Sequence, residues 1–469
     1  MTIYILGGGP TGLAIADGVI DSNLGKFVLI ERSEKLGGLA QSIVWPGVGE
    51  HDLGPHKIFS LNTSLVQRVE KLLPSSSWLT KNKISSIYIG GHFLPYPPSP
   101  FSLAGIFGLK AFLIMVMGYG QAKIRSIFLK NNPTTFEDDL KERVGAPLYD
   151  VLFKPIAKKL WGDPQKLDIK LSKGRVQTPS LFEVFGRLLK IKENSDFEAL
   201  TFRYPKGGLS KLWDSIQAKG CDVGEFRCGV NVAGIESDGT NIICLNLEKN
   251  GVSSSIKLEK DDFVVSTLPL SLTTKLLAKN IPAHIPALAN EVVRLNDLIL
   301  VFLNVDCQNF IQESWVFIPD PKVIFHRLSE QESFDAGMVR KGSIVCCEIM
   351  SSIDRNFSEY SDDDLVKECL SGLAMMGYNH FQVLGKKVIR LPKSYPVFFK
   401  GYEPGLRELM IALDSFENFR SVGRQGAFNY IGTLDAMDVG YGFSEWLSTQ
   451  NRLTWSAERN RTNHYPVLD

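Results

Sequence analysis

The chain has 469 residues, 44% of them hydrophobic and 22% charged, with a formal net charge of +1. That length can bury more than one core, and the near-neutral balance excludes a global field suited to nucleic acid or an acidic membrane. The seven cysteines are scattered without a C-x-x-C pair; a disulfide framework or zinc site is not expected, and free thiols in a reducing cytoplasm fit better.

Thr2–Leu6 predicts a strand, and it runs into Gly7, Gly8, Gly9, Pro10, Thr11 and Gly12. A helix follows, then a second strand over residues 27–30 that ends at Glu31. Gly7, Gly9 and Gly12 have the G-x-G-x-x-G spacing inside a βαβ unit. Gly7 allows the tight turn, Gly9 lets the backbone approach a pyrophosphate, and Gly12 lets helix and strand pack closely. Pro10 and Thr11 open the helix, whose bare N–H groups and positive end face the same pyrophosphate. Glu31 stands about 20 residues on, where a carboxylate accepts hydrogen bonds from a ribose; Arg32 follows it. Because the first strand begins at residue 2, no signal peptide is expected.

Gly37, Gly38 and Leu39 form a second glycine turn beside the cofactor, able to offer N–H groups to phosphate or ribityl oxygens. Two such turns point to FAD rather than NAD. Gly54-Pro55-His56 then sets a turn that aims His56 at the pocket, where it can bond the flavin or shuttle a proton.

Residues 61–200 read as mostly helical, with helical spacing over 65–73, 106–128, 135–144 and 181–191. A proline-rich link at 94–100 sets off the first helix and its hairpin. The apolar stretch 101–120 is interrupted by Lys110 and diluted by glycine, so its uninterrupted run is too short to span a bilayer. It predicts a buried helix or one lining an apolar pocket, with membrane contact not favoured. After Gly207-Gly208 comes a helix over 209–218, then strands over 231–236, 242–247, 254–258 and 262–267. Further strands are expected at 298–305, 343–350 and 419–422, and a last helix near 435–452. The expected fold is α/β. A Rossmann-type FAD domain is assembled from residues 1–60, 207–285 and 405–469. An α+β substrate domain of helices plus antiparallel sheet is inserted as 61–206 and 286–404.

The glycine motifs and the Gly-Pro-His segment resemble the flavoprotein group of protoporphyrinogen oxidases, amine oxidases and UDP-galactopyranose mutases. Lys159-Leu160-Trp161-Gly162 followed by Arg175 is similar to the mutases' Trp-Gly segment and its trailing arginine. Phe202 to Gly208 resembles the Tyr-Pro-Lys-Gly-Gly entry to the second FAD half. The resemblance implies that Val232 meets the adenine with its backbone and that Thr267 ends a strand beside the cofactor. It also implies that Gly423, Arg424 and Asp435 belong to a segment closing over the pyrophosphate and ribityl chain. The mutases' paired tyrosines are not both evident, since Tyr430 precedes Ile431. Their arginine clamp has Arg175, Arg327 and Arg340 as candidates.

The expected partner is a small-molecule substrate, with a nucleotide sugar among the options and no nucleic acid. The favoured activity is an FAD-dependent oxidoreductase taking a hydride onto the flavin, with His56, Arg175 and Arg327 as catalytic candidates. The alternative is a mutase-like isomerase of a nucleotide sugar, in which the resemblance implies attack by reduced flavin N5 on the anomeric carbon.

Overall fold

The computed structural model describes residues 1–128, 132–176, 201–449, 454–462 and 465. The helix expected over 181–191 lies outside them.

A five-stranded parallel sheet has the order Phe419–Ser421, Phe263–Ser266, Thr2–Leu6, Lys26–Glu31, Gly224–Cys228. Its three central strands are short apolar runs because helices or sheets cover both faces, while the edge strands Gly224–Cys228 and Phe419–Ser421 carry charged residues. The Pro10–Asp21 helix packs one face together with Ser210–Gly220 and Thr433–Ser448. Tyr4, Leu6 and Val264 point to the other face and join Leu245, Leu247 and Phe419 there. This second layer includes an antiparallel ribbon of Asn231–Ser237, Ile242–Lys249 and Val252–Lys257.

A seven-stranded sheet runs Val383–Pro396, Leu295–Val305, Ser343–Ser351, Arg327–Glu330, Trp315–Phe317, Ser85–Ile89, His92–Pro95. All its pairings are antiparallel except Trp315–Phe317 with Ser85–Ile89. The two-residue alternation of side chains explains its two cores. Ile299, Val301, Leu303 and Cys347 pack under the Asp362–Met375 helix, while Leu298, Leu300, Phe302 and Cys346 meet Leu53. That helix starts at a capping box, with Ser361 and Asp364 bonding each other's backbone N–H.

The hairpin expected after the first helix is present as Ser85–Ile89 and His92–Pro95, with Trp78–Asn82 a further strand ahead of it in a region read as mostly helical. One expectation needs correction. The apolar segment forms the Pro100–Phe128 helix, and it is not buried: Leu103 and Met115 alone among its side chains are buried. Helical spacing and composition show that a segment can bury a face, but not whether a partner surface exists to bury it.

Candidate active site

The first glycine turn forms as its spacing demands. Gly7 has φ +105°, and its N–H donates to Ile30 O at 2.8 Å. A Cβ on Gly12 would stand 2.0 Å from Gly7 O, so only glycine lets the helix start this close to the strand. Gly9 differs: a Cβ there would meet nothing within 4 Å. Its open side faces away from protein atoms at the N-terminus of the Pro10–Asp21 helix.

The second turn seats on the first. Gly37 and Gly38 have φ of +109° and +55°. Gly37 N–H donates to Gly8 O at 2.8 Å, and a Cβ on Gly38 would lie 3.1 Å from Gly9 Cα. Glu31 braces this cradle: its carboxylate accepts from Gly8 N–H at 2.7 Å and Ser33 N–H at 2.8 Å. Each oxygen retains lone-pair capacity for a ribose hydroxyl. Arg32 is exposed beside it, and Leu39 is partly exposed on the turn.

The other sequence-selected positions surround the cradle. Thr267 ends its strand with its N–H and hydroxyl both donating to Leu6 O, at 2.8 and 3.0 Å. Val232 is a core side chain at a register shift in the ribbon, and Val230 N–H donates to Glu31 O. Gly423 has φ +88°, and a Cβ there would stand 2.8 Å from Thr11 Oγ1. Asp435 sits in the first turn of Thr433–Ser448 and accepts from Gly432 N–H at 3.3 Å.

His56 lines a small cavity, of about 10 Å³, together with Asp52, Pro55, Phe302, Gln331 and Cys346. Its Nδ1 is 3.0 Å from Gly54 O. A neutral ring there carries its proton on Nδ1 and keeps Nε2 as an acceptor. Burial pushes its pKa down to about 4, and the Arg327 and Arg424 charges push the same way. The ring is therefore neutral at physiological pH. It can accept a proton but holds none to give beyond the one on Nδ1. Beneath it Asp52 is 2% exposed and accepts from Ser42 Oγ and Tyr204 OH, both at 2.6 Å. Burial raises Asp52 to about 6 against those donors.

Arg327 donates to both oxygens of Glu348, at 2.5 and 2.8 Å, and the Glu348 side chain is 1% exposed. On this strand His326 is buried and its neighbour Arg327 faces the ion pair, as alternation of side chains requires. The forked pair neutralises Arg327's charge locally. Two of the Arg327 N–H groups are thus taken by Glu348. Glu348, 21 positions away in sequence, gave no motif signal.

Arginines and aromatic rings gather next to it. Tyr395 and Tyr430 meet edge-to-face with centroids 5.6 Å apart, and Trp161 adds an edge contact on Tyr430 at 6.3 Å. The Arg175 guanidinium lies 4.0 Å from the Tyr430 centroid. Arg424 lies 4.8 Å from Tyr395 and 4.9 Å from Tyr430, and donates to Ile431 O at 2.5 Å. The buried Trp161 Nε1–H has no acceptor among the described residues. Burial raises the Tyr395 hydroxyl pKa, with Arg327, Glu348, Tyr430 and Arg424 all within electrostatic reach. His56, Arg175, Arg327 and Arg424 therefore come together. Arg340 sits instead on the loop whose backbone pairs with Val48. Sequence reasoning missed the tyrosine pair because it sought a neighbour of Tyr430 in sequence; Tyr395 is 35 residues earlier, on the long Val383–Pro396 strand.

Residues 5–72 match the family model described as NAD(P)-binding Rossmann-like domain. Among solved structures, a reduced UDP-galactopyranose mutase aligns with TM-score 0.83 and 19% identity, covering 98% of this chain and 97% of that one. A putative protoporphyrinogen oxidase from Exiguobacterium sp. 255-15 gives 0.73 and 16%, covering 96% and 99%. Cyclohexylamine oxidase from Brevibacterium oxydans IH-35A gives 0.64 and 14%, again covering 96% and 99%. The chain thus has, over nearly its whole length, the fold shared by these mutases and oxidases, with a Rossmann-like nucleotide domain at its start.

Proposed function

We propose that this chain binds FAD and isomerises a nucleotide sugar. The oxidoreductase activity favoured from sequence becomes the competing reading. The observation that carries the proposal is the cage of Arg175, Arg424, Tyr395, Tyr430 and Trp161. Two guanidinium groups on paired tyrosine rings, beside an unsatisfied indole N–H, suit a diphosphate. An amine or another apolar reductant has no need of two cations. The reading is supported by Tyr395 and Tyr430 pairing across 35 positions with Arg175 and Arg424 over their rings.

The residues fit FAD. Gly9 leaves its approach open, Gly37 and Gly38 add backbone donors, and Glu31 retains acceptor capacity for a ribose. A bound, reduced FAD supplies a nucleophilic ring nitrogen. In this reading the protein's own residues do the rest. Arg175 and Arg424 hold the diphosphate. Tyr395 and Tyr430 orient it through their hydroxyls and exclude water with their rings. Neutral His56, kept uncharged chiefly by burial with the Arg327 charge adding to it, holds a proton-accepting Nε2.

The test is turnover without net redox change. Dithionite-reduced, FAD-loaded protein is incubated anaerobically with UDP-galactopyranose, and the products are resolved by NMR. A ring-contracted sugar formed by reduced but not oxidised protein supports the reading. Bleaching of the oxidised flavin by an amine or porphyrinogen, with no rearranged sugar, returns the assignment to an oxidase.

A further inference from the structure

The Pro100–Phe128 helix presents apolar residues to solvent on nearly every side. Phe101, Leu109, Met117, Ile127 and Phe128 are 77%, 67%, 58%, 76% and 80% exposed. A helix that is apolar all round and uncovered is not a stable surface in water. Its charged residues are Lys110, Lys123 and Arg125, and it has no acidic one. Gly108, with φ +79° and ψ 158°, kinks it and frees the Leu109–Phe128 arm from the entering turn.

We infer that this arm lies in the surface of an anionic phospholipid bilayer. It docks there rather than crossing the membrane. The uncharged run Ala111–Ala122 between Lys110 and Lys123 is about 18 Å long at 1.5 Å per residue, well short of the roughly 30 Å of a hydrocarbon core. One side of the arm is also fastened to the protein. A Cβ on Gly118 would stand 2.6 Å from Pro147 Cδ, and one on Gly145 would stand 2.6 Å from the Gly118 carbonyl. Backbone contacts this close hold the helix flat on the body, with its remaining sides outward. Lys110 and Lys123 bracket the apolar run and reach lipid phosphates while Leu113, Val116 and Met117 enter the acyl boundary. A second copy of the chain fits less well, because its own Lys110, Lys123 and Arg125 would meet these with no acid in the helix to pair them. The helix shares a cluster with Phe317, whose register partner is Arg327, so docking sets the bilayer near the sheet that carries the candidate site. The inference does not depend on which substrate that site takes.

The experiment is flotation of full-length FAD-loaded protein with vesicles of phosphatidylcholine alone and of equimolar phosphatidylcholine and phosphatidylglycerol. Wild type rises with the anionic vesicles, less so in high salt. Leu113→Glu with Met117→Glu stays at the bottom, and Lys123→Glu with Arg125→Glu lowers anionic-vesicle binding by about tenfold or more. The flavin spectrum of each variant reports that it is folded. Wild type that ignores both vesicles overturns the inference, as does flotation unchanged by the glutamate variants. Lipid-free self-association that Leu113→Glu abolishes, seen by sedimentation velocity, overturns it in favour of a second copy.

Discussion

The glycine cradle and the arginine–tyrosine cage sit side by side but are specified in different ways. The cradle is built from backbone. Its parts fall within residues 7–38; Gly7, Gly12, Gly37 and Gly38 are required by contacts a Cβ would crowd, while Gly9 faces open space. The cage is built from side chains on the Ile169–Arg175 helix, the Val383–Pro396 strand and the Gly423–Tyr430 segment. Arg175 and the Gly423–Tyr430 segment were picked out only by resemblance, and the strand that brings Tyr395 beside them carries no pattern of its own. In this fold a cofactor site is local in sequence, because the dinucleotide is held by one turn and one helix end. The substrate site is assembled by tertiary contact, so it can change without disturbing the cradle.

The strongest way to break that comparison is within the cradle itself. Gly12→Leu drives a side chain into the Gly7 carbonyl, and no soluble folded protein is expected. Gly9→Leu meets open space in the protein. It is expected to leave apoprotein stability within about 1 kcal/mol, given that Gly9 is an N-cap without a side-chain bond, yet to purify colourless. Urea unfolding and the visible spectrum separate the two. A yellow Gly9→Leu protein would remove the pyrophosphate from this turn.

The next largest effect lies at the ion pair under the cage. Glu348→Gln leaves Arg327 with a buried face and no countercharge, at a cost of about 3 kcal/mol. The same change should lower the His56 pKa further, because the guanidinium is no longer neutralised. A smaller effect, confined to the cage, is expected from Arg175→Ala. It removes a cation from Tyr430 and is predicted to weaken UDP binding by about 2 kcal/mol, or roughly thirtyfold. FAD content should be unchanged. Calorimetry with UDP on the holoprotein measures it, and equal affinity in wild type and variant would take the diphosphate out of the cage.

What the sequence disclosed follows the same division. The Thr2–Leu6 strand, its helix and Glu31 were legible because turn geometry and helix polarity constrain neighbours in the chain. The strands at Leu295–Val305 and Ser343–Ser351 were legible from apolar runs. Gly224–Cys228, an edge strand of the nucleotide sheet, was not, because Glu225 and Arg227 break its apolar pattern. Val383–Pro396 was hidden for a similar reason, with Lys386 and Arg390 facing outward along it and Lys387 covering the Trp45 ring. The pairing of Tyr395 with Tyr430 across 35 residues was not legible, since a ring contact leaves no trace in periodicity. The Pro100–Phe128 helix shows the opposite failure: its character was read correctly and its environment was not.

The smallest expected effect probes the joint between the two regions. His51 lies on the Gly49–Asp52 strand that leaves the second glycine turn, and its ring packs 3.9 Å from that of Phe302 in the large sheet. It is fully buried, and burial pushes its pKa down to about 4 despite the Asp52 carbonyl. The unfolded chain binds a proton at His51 below about pH 6.5, whereas the folded chain resists it down to about 4. Stability from this group is therefore complete above 6.5 and declines as pH falls toward 4. Between pH 7 and pH 5 the loss is about 2 kcal/mol. Asp52 opposes it: raised to about 6, its carboxyl favours the folded state most at low pH and loses that contribution as pH rises through 6. His51→Phe removes the first dependence and leaves the second. Denaturant unfolding at both pH values should show the variant gaining on wild type by about 2 kcal/mol as pH drops from 7 to 5. An unchanged gap would mean that His51 is charged in the folded state, and that the cradle and the large sheet meet through a wetter contact than the Phe302 packing describes.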